Sequence, residues 1–203
     1  MNEGSARAVQ RALIVVDMQQ DFCPGGALPV VGCDRIVPAL NRYIAEAEEL
    51  GMGIYASRDW HPPVTIHFKR HGGVWPTHCV QGTSGAAFHP ALRLPASTVV
   101  ITKGDNPEQH GYSAFDGHTQ NGASFLQHLR DRRIGVLYVA GVTIEYCVKQ
   151  TTLDALRGGL RVTVLTDAIA AINDRPGDVD RALREMSHEG ANLETGIGVP
   201  HRR

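Results

Sequence analysis

Ala12-Leu13-Ile14-Val15-Val16-Asp17 decides the fold. Its five consecutive apolar residues, with no polar side chain alternating among them, describe a strand covered on both faces. Such a strand belongs to a parallel sheet with helices above and below it. After a turn-rich stretch, Asp34 opens a helix whose apolar positions Ile36, Leu40, Tyr43, Ile44 and Ala47 recur at helical spacing. Gly51 stands where a left-handed cap is expected. The pattern predicts further strands at Gly53–Ser57, Thr98–Thr102, Val136–Ala140 and Arg161–Leu165. Helices are predicted around Ala123–Arg132, Glu145–Arg157 and Asp178–Glu189. This alternation predicts an α/β fold in three layers, a mostly parallel sheet with helices on both faces.

The chain of 203 residues has no repeat, no low-complexity segment and no dividing linker. Residues 1–10 are polar and read as a loose N-terminal tail, and 11–203 as a single domain. With 20 basic against 21 acidic residues, nothing attracts nucleic acid or anionic lipid. The Ala12–Val16 run is too short for a signal peptide or a membrane span. Cys23, Cys33, Cys79 and Cys147 show no C-x-x-C spacing and are sparse for a disulfide scaffold, so reduced thiols in a cytoplasmic setting are expected. No apolar stripe marks a dimer face, and a homo-oligomer is left open.

In open α/β sheets the ligand site lies beyond the carboxyl ends of the strands. Asp17 follows the first predicted strand, Asp59 the second, Lys103 the third, and Cys147 lies in the first turn of the helix after the fourth. Parallel strands deliver all four to one edge. Cys147 is the candidate nucleophile; a helix N-terminus and the Lys103 ammonium both favour its thiolate, and Asp17 is the candidate proton acceptor. Burial as a small hydrophobe is the commoner fate of a cysteine, and it is the reading adopted for Cys23, Cys33 and Cys79.

The second constellation lies in Arg58–Ser97, forty residues without a convincing helix or strand. A long loop inside a compact domain is usually functional or disordered, and this one holds both tryptophans, Trp60 and Trp75. It also gathers Asp59, His61, His67, His71 and His78. Imidazole with carboxylate suits zinc, iron or manganese, whereas His71 beside Gly72-Gly73 reads as a solvated tip. No phosphate-binding loop and no G-x-S-x-G elbow is present. Tyr112, Ser113 and Phe115 follow Lys103 and either shape a pocket or pack.

Several separated segments, in order, carry a resemblance: Val16-Asp17-Met18-Gln19-Gln20-Asp21-Phe22, Asp59-Trp60-His61-Pro62, Trp75-Pro76-Thr77-His78-Cys79-Val80-Gln81-Gly82-Thr83, Lys103-Gly104, Tyr112-Ser113-Ala114-Phe115 and Tyr146-Cys147-Val148. From about Ala12 to Ile172 the chain resembles the nicotinamidases of the isochorismatase-like cysteine hydrolase superfamily. The resemblance implies a triad of Asp17, Lys103 and Cys147. It also implies a divalent metal, zinc in first place and iron or manganese as alternatives, on Asp59, His61 and His78, with His67 the extra histidine of some members. Phe22, Trp75 and Tyr112 would surround a pyridine ring whose nitrogen meets the metal. A Val142–Thr143 cis peptide would aim the backbone N–H groups of Thr143 and Cys147 at an oxyanion.

The implied reaction is hydrolysis of nicotinamide to nicotinate and ammonia, with pyrazinamide a plausible second substrate and pyridine nucleotide salvage the setting. One departure is local: relatives commonly read Ala-Thr-Asp where this chain reads Thr143-Ile144-Glu145. That keeps open a related cysteine amidase acting on another small carboxamide. A metal-bound water as the attacking group and a binding domain without turnover are the other readings weighed.

Overall fold

The computed structural model describes residues 9–173 and 175–198. The expected N-terminal tail therefore lies outside the described residues except at Val9 and Gln10, and Gln10 already belongs to the first strand. Five longer strands form where the apolar runs predict them: β1 (Gln10–Val16), β2 (Gly53–Asp59), β3 (Val99–Lys103), β5 (Ile134–Val142) and β6 (Arg161–Ala170). Two edge strands were not expected, β4 (His118–Thr119) and β7 (Asn192–Glu194). At two and three residues they are too short to show a period. The sheet order is β4-β3-β2-β1-β5-β6-β7, and only the β3–β4 pair is antiparallel.

Residues of β1 alternate between two cores. Leu13 and Val15 face a cluster with Leu40, Tyr43, Ile44 and Ala47 of α1 (Val37–Glu49). Ala12, Ile14 and Val16 face one built from α2 (Phe125–Asp131), α3 (Lys149–Arg157) and α4 (Asp178–His188), through Phe125, Leu129, Ala155, Ala182 and Met186. The five side chains from Ala12 to Val16 are fully buried, as a strand covered on both faces requires. The layers are those the sequence predicts. Asp34–Ile36 forms a separate 3-10 turn ahead of α1, where Pro38 fits because a first-turn N–H needs no partner. The helix expected over Glu145–Arg157 divides into a π-helical turn, Ile144–Val148, followed by α3.

The connection from Trp60 to Thr98 contains only short 3-10 turns at Lys69–His71 and Ser84–Ala86. It is nonetheless packed in, with His61, Phe68 and Cys79 fully buried. One expectation is overturned here. Cys23 and Cys33, read as separate reduced thiols, form a disulfide, while Cys79 and Cys147 are free and buried. The segment between the pair turns back on itself through the Val30 N–H donating to the Phe22 carbonyl, at 2.8 Å, which brings the two cysteines together. Sequence spacing carries no information about such a fold-back.

Candidate active site

Four neighbouring strands, β3, β2, β1 and β5, end at one edge, and each supplies one reactive side chain. Asp59 and Lys103 are the last residues of β2 and β3 and stand opposite each other in the parallel register. Asp17 follows β1 in a left-handed conformation, φ 50°. Cys147 sits in the π-helical turn just beyond β5. Gly141, at φ 116°, lets β5 close on β1 there, since a Cβ at that position would lie 2.1 Å from the Val16 carbonyl oxygen.

Lys103 is the hub. Its Nζ lies 2.8 Å from Asp17 Oδ2, 2.6 Å from Asp59 Oδ1 and 3.6 Å from Cys147 Sγ, and it also donates to the Gly111 carbonyl at 3.1 Å. Sγ and one carboxylate oxygen each of Asp17 and Asp59 lie within 4.8 Å of one another. An ammonium at their centre already supplies the positive charge, so this group is not a second cation site. Asp17, Asp59 and Lys103 are buried, as is Cys147.

The two carboxylates respond in opposite directions to the one ammonium. Burial raises Asp17, and Lys103 only partly opposes it while Asp59 adds to it. Burial also acts on Asp59, but the Lys103 ammonium overrides it and holds Asp59 well below the ordinary carboxylate range. Lys103 stays charged because Asp17 and Asp59 outweigh its own desolvation. Burial pushes the Cys147 thiol well up despite Lys103. A thiol held up in this way needs a base to become a nucleophile. Asp17, the carboxylate with raised proton affinity, is beside it. Carboxylates pushed apart in this way mark acid–base roles.

Beside the triad, His61, His67 and His78 each present a ring nitrogen within 4.8 Å of the others. All three are buried, and Asp59 Oδ2 lies 3.7 Å from His61 Nε2. His61 Nε2 is buried without a hydrogen-bond partner, while its Nδ1 meets the Gly104 carbonyl at 2.9 Å. Gly104, at φ 68°, makes that contact feasible, because a Cβ would fall 2.5 Å from the imidazole. A buried, unsatisfied imidazole nitrogen facing a carboxylate and two further imidazoles is what a divalent ion would satisfy, so the donor set fits a metal. His71, expected at a solvated tip, is exposed.

A narrow cavity joins the two groups. Phe22, Trp75 and Tyr112 line it, together with Leu28, Asp59, His67, His78, His110, Thr143, Tyr146, Cys147 and Ile172. Trp75 Nε1 donates to the Tyr112 hydroxyl at 2.9 Å and its ring meets Tyr146 edge-on at 4.8 Å. The Val142–Thr143 peptide is cis. Thr143 Oγ1 is buried without a partner.

Sequence reasoning missed several residues of this site. Ser57 Oγ donates to Asp17 Oδ1 at 2.7 Å. Gln19 clamps the backbone of Asp59 from both sides, its Nε2 donating to the carbonyl and its Oε1 accepting from the N–H, each at 2.8 Å. Asp21 accepts from the Cys79 N–H at 2.7 Å and so anchors the return of the long connection. Gln19 and Asp21 lay inside a quoted motif, but only their partners give them a role. Glu145 holds the backbone N–H groups of Ile172 and Asn173, and His110 meets His67.

Fold and site together define an α/β protein with a thiol, a shared lysine and a metal-type histidine cluster at the carboxyl edge of its sheet. Residues 11–197 match the isochorismatase domain model. The nicotinamidase of Escherichia coli K12 is 42% identical over 201 residues, covering 91% of this chain and 94% of that protein. The crystal structure of the Pyrococcus horikoshii pyrazinamidase in complex with zinc superposes with a TM-score of 0.85 at 45% identity, covering 92% of this chain and 99% of that one. The structure of PnC1 from L. infantum in complex with nicotinate gives 0.81 at 34% identity, covering 92% and 93%. The chain belongs to the isochorismatase family.

Proposed function

We infer that this chain is an amidohydrolase that converts nicotinamide to nicotinate and ammonia, with pyrazinamide as a second substrate. The observation that carries the reading is the contact of one buried ammonium, Lys103 Nζ, with Asp17, Asp59 and the Cys147 sulfur. Asp17 takes the thiol proton as Sγ attacks the carboxamide carbon. The backbone N–H groups of Thr143 and Cys147 donate to the oxyanion, an arrangement worth about 2.7–4 kcal/mol per donor in well-studied hydrolases. As the C–N bond breaks, Asp17 returns the proton to the leaving nitrogen and ammonia departs. Water, deprotonated by Asp17, then cleaves the thioester, releasing nicotinate and restoring the thiol. Lys103 keeps its charge throughout and screens the two carboxylates from each other.

Asp59, His61, His67 and His78 would hold one divalent ion, zinc in first place because the P. horikoshii relative is in complex with zinc. Bound there, the ion supplies a Lewis-acidic partner for the pyridine nitrogen. Phe22, Trp75 and Tyr112 flank the ring and exclude water. No helix among the described residues is long and apolar enough to cross a membrane.

Ammonia release on metal-analysed protein tests the reading with nicotinamide, pyrazinamide and an aliphatic amide side by side. Turnover of the two aromatic amides, its loss in Cys147→Ala and its protection by nicotinamide against iodoacetamide are expected. Preference for the aliphatic amide would transfer the reading to another carboxamide. Full activity in Cys147→Ala would remove the sulfur from the chemistry.

A further inference from the structure

Each of the three clustered histidines has its Nδ1 engaged. His61 Nδ1 meets the Gly104 carbonyl at 2.9 Å and His78 Nδ1 meets the Pro76 carbonyl at 2.7 Å. A carbonyl only accepts, so both rings carry their hydrogen on Nδ1 and leave the Nε2 lone pair free. His67 Nδ1 has no carbonyl. It lies 3.2 Å from Nδ1 of His110, forty-three residues further on. One hydrogen joins the two nitrogens, and the His67 ring matches its neighbours only when His67 is the donor.

We infer that His110 is a positioning residue of the metal centre, which accepts the hydrogen of His67 Nδ1 and thereby presents His67 Nε2 to the ion. The inference rests on the metal-holding role proposed above for His61, His67 and His78. Ligating histidines generally give their second ring N–H to an acceptor that fixes tautomer and orientation. Here two acceptors are backbone and cannot be exchanged, whereas the third is a side chain at the cavity mouth. His110 is itself held in place. Its ring stacks on Tyr112, with centroids 5.6 Å apart and planes at 16°. The next residue, Gly111, packs against Gly104 and accepts from Lys103 Nζ at 3.1 Å. The segment that carries His110 is thus tied to both the triad and the aromatic wall.

The competing explanation is that His110 merely walls the cavity beside Tyr112, and three variants separate the two. His110→Ala removes ring and acceptor, His110→Phe keeps a ring for the stack, and His110→Asn keeps an acceptor near the Nδ1 position. Zinc affinity is read by competition with a chromophoric chelator, and ligand geometry by the visible absorption of the cobalt(II)-substituted protein. His110→Ala and His110→Phe are expected to lose zinc affinity by about 10–100-fold and to shift the cobalt bands, with His110→Asn close to the parent in both. Parent-like zinc affinity and cobalt spectrum in His110→Ala, or a His110→Asn as weak as His110→Phe, would overturn the assignment. A parent protein that takes up neither ion fails at an earlier point and removes the metal centre itself.

Discussion

Lys103 holds its charge between two carboxylates and a sulfur with none of its side chain exposed, and the whole cluster depends on that charge. Breaking a buried pair costs about 3–5 kcal/mol, because the partner left behind is an uncompensated charge. Two partners are left here. Lys103→Met is expected to lose at least that much stability in urea unfolding at neutral pH, and a loss below 1 kcal/mol would mean the cluster is hydrated. Asp17 makes the complementary prediction. As the proposed base it works only when deprotonated, so kcat/KM should fall as pH falls through its folded pKa. Burial raises that pKa, which places the acid limb above the ordinary aspartate range. The Ser57 hydrogen bond pulls the other way, so Ser57→Ala should move the limb further up. An unmoved limb would separate Ser57, or Asp17 itself, from the titration. Asp17→Asn keeps the shape but not the base, and should lose about 10²–10⁴ in kcat.

At the scale of elements, strand positions and layers were legible because burial on both faces leaves a continuous apolar run, and because parallel strands must end at one edge. That is why Asp17, Asp59, Lys103 and Cys147 could be brought together from sequence. The loops were legible only in composition. Nothing periodic records that Val30 folds back on Phe22, or that His110 returns to His67, since both depend on the path of irregular backbone. The Cys23–Cys33 disulfide was misread for that reason. Its consequence is local to the cavity. It closes the loop that carries Leu28, and Phe22 adjoins Cys23; both Phe22 and Leu28 line the cavity beside Cys147. A Cys23→Ser/Cys33→Ser variant is expected to lose about 2–4 kcal/mol in stability from the freed loop. KM for nicotinamide should rise with kcat nearly kept, because the wall loosens while the triad stands on the sheet. A fall in kcat at constant KM would instead tie the loop to the chemical step.

The whole molecule draws its order from two different sources. The sheet is held by apolar burial, with Leu13, Ile14, Val15, Leu137 and Val139 fully inaccessible between the helical layers. The long connection from Trp60 to Thr98 has no such periodic face, yet His61, Phe68 and Cys79 are as deeply buried. Cys79 and Ala86 pack into the core beside α1, and polar contacts fasten the rest. Gln19 and Asp21 grip it from the segment after β1, Gly104 and Pro76 carbonyls hold two imidazoles, and the three ring nitrogens converge on one point. An ion bound at that point stabilises only the state in which the ligands meet, by about 2.7 kcal/mol at a hundred times its Kd. Because three of the four proposed ligands, His61, His67 and His78, lie in the connection and the fourth, Asp59, ends β2, removing the ion should loosen the connection and leave the sheet intact. Hydrogen exchange compared between zinc-loaded and chelator-treated protein reads this directly. Faster exchange is expected in peptides spanning residues 61–82, with those from β1 and β5 unchanged. Equal acceleration in both would mean that sheet and connection open as one cooperative unit, and no change in 61–82 would show that the connection is ordered without the ion.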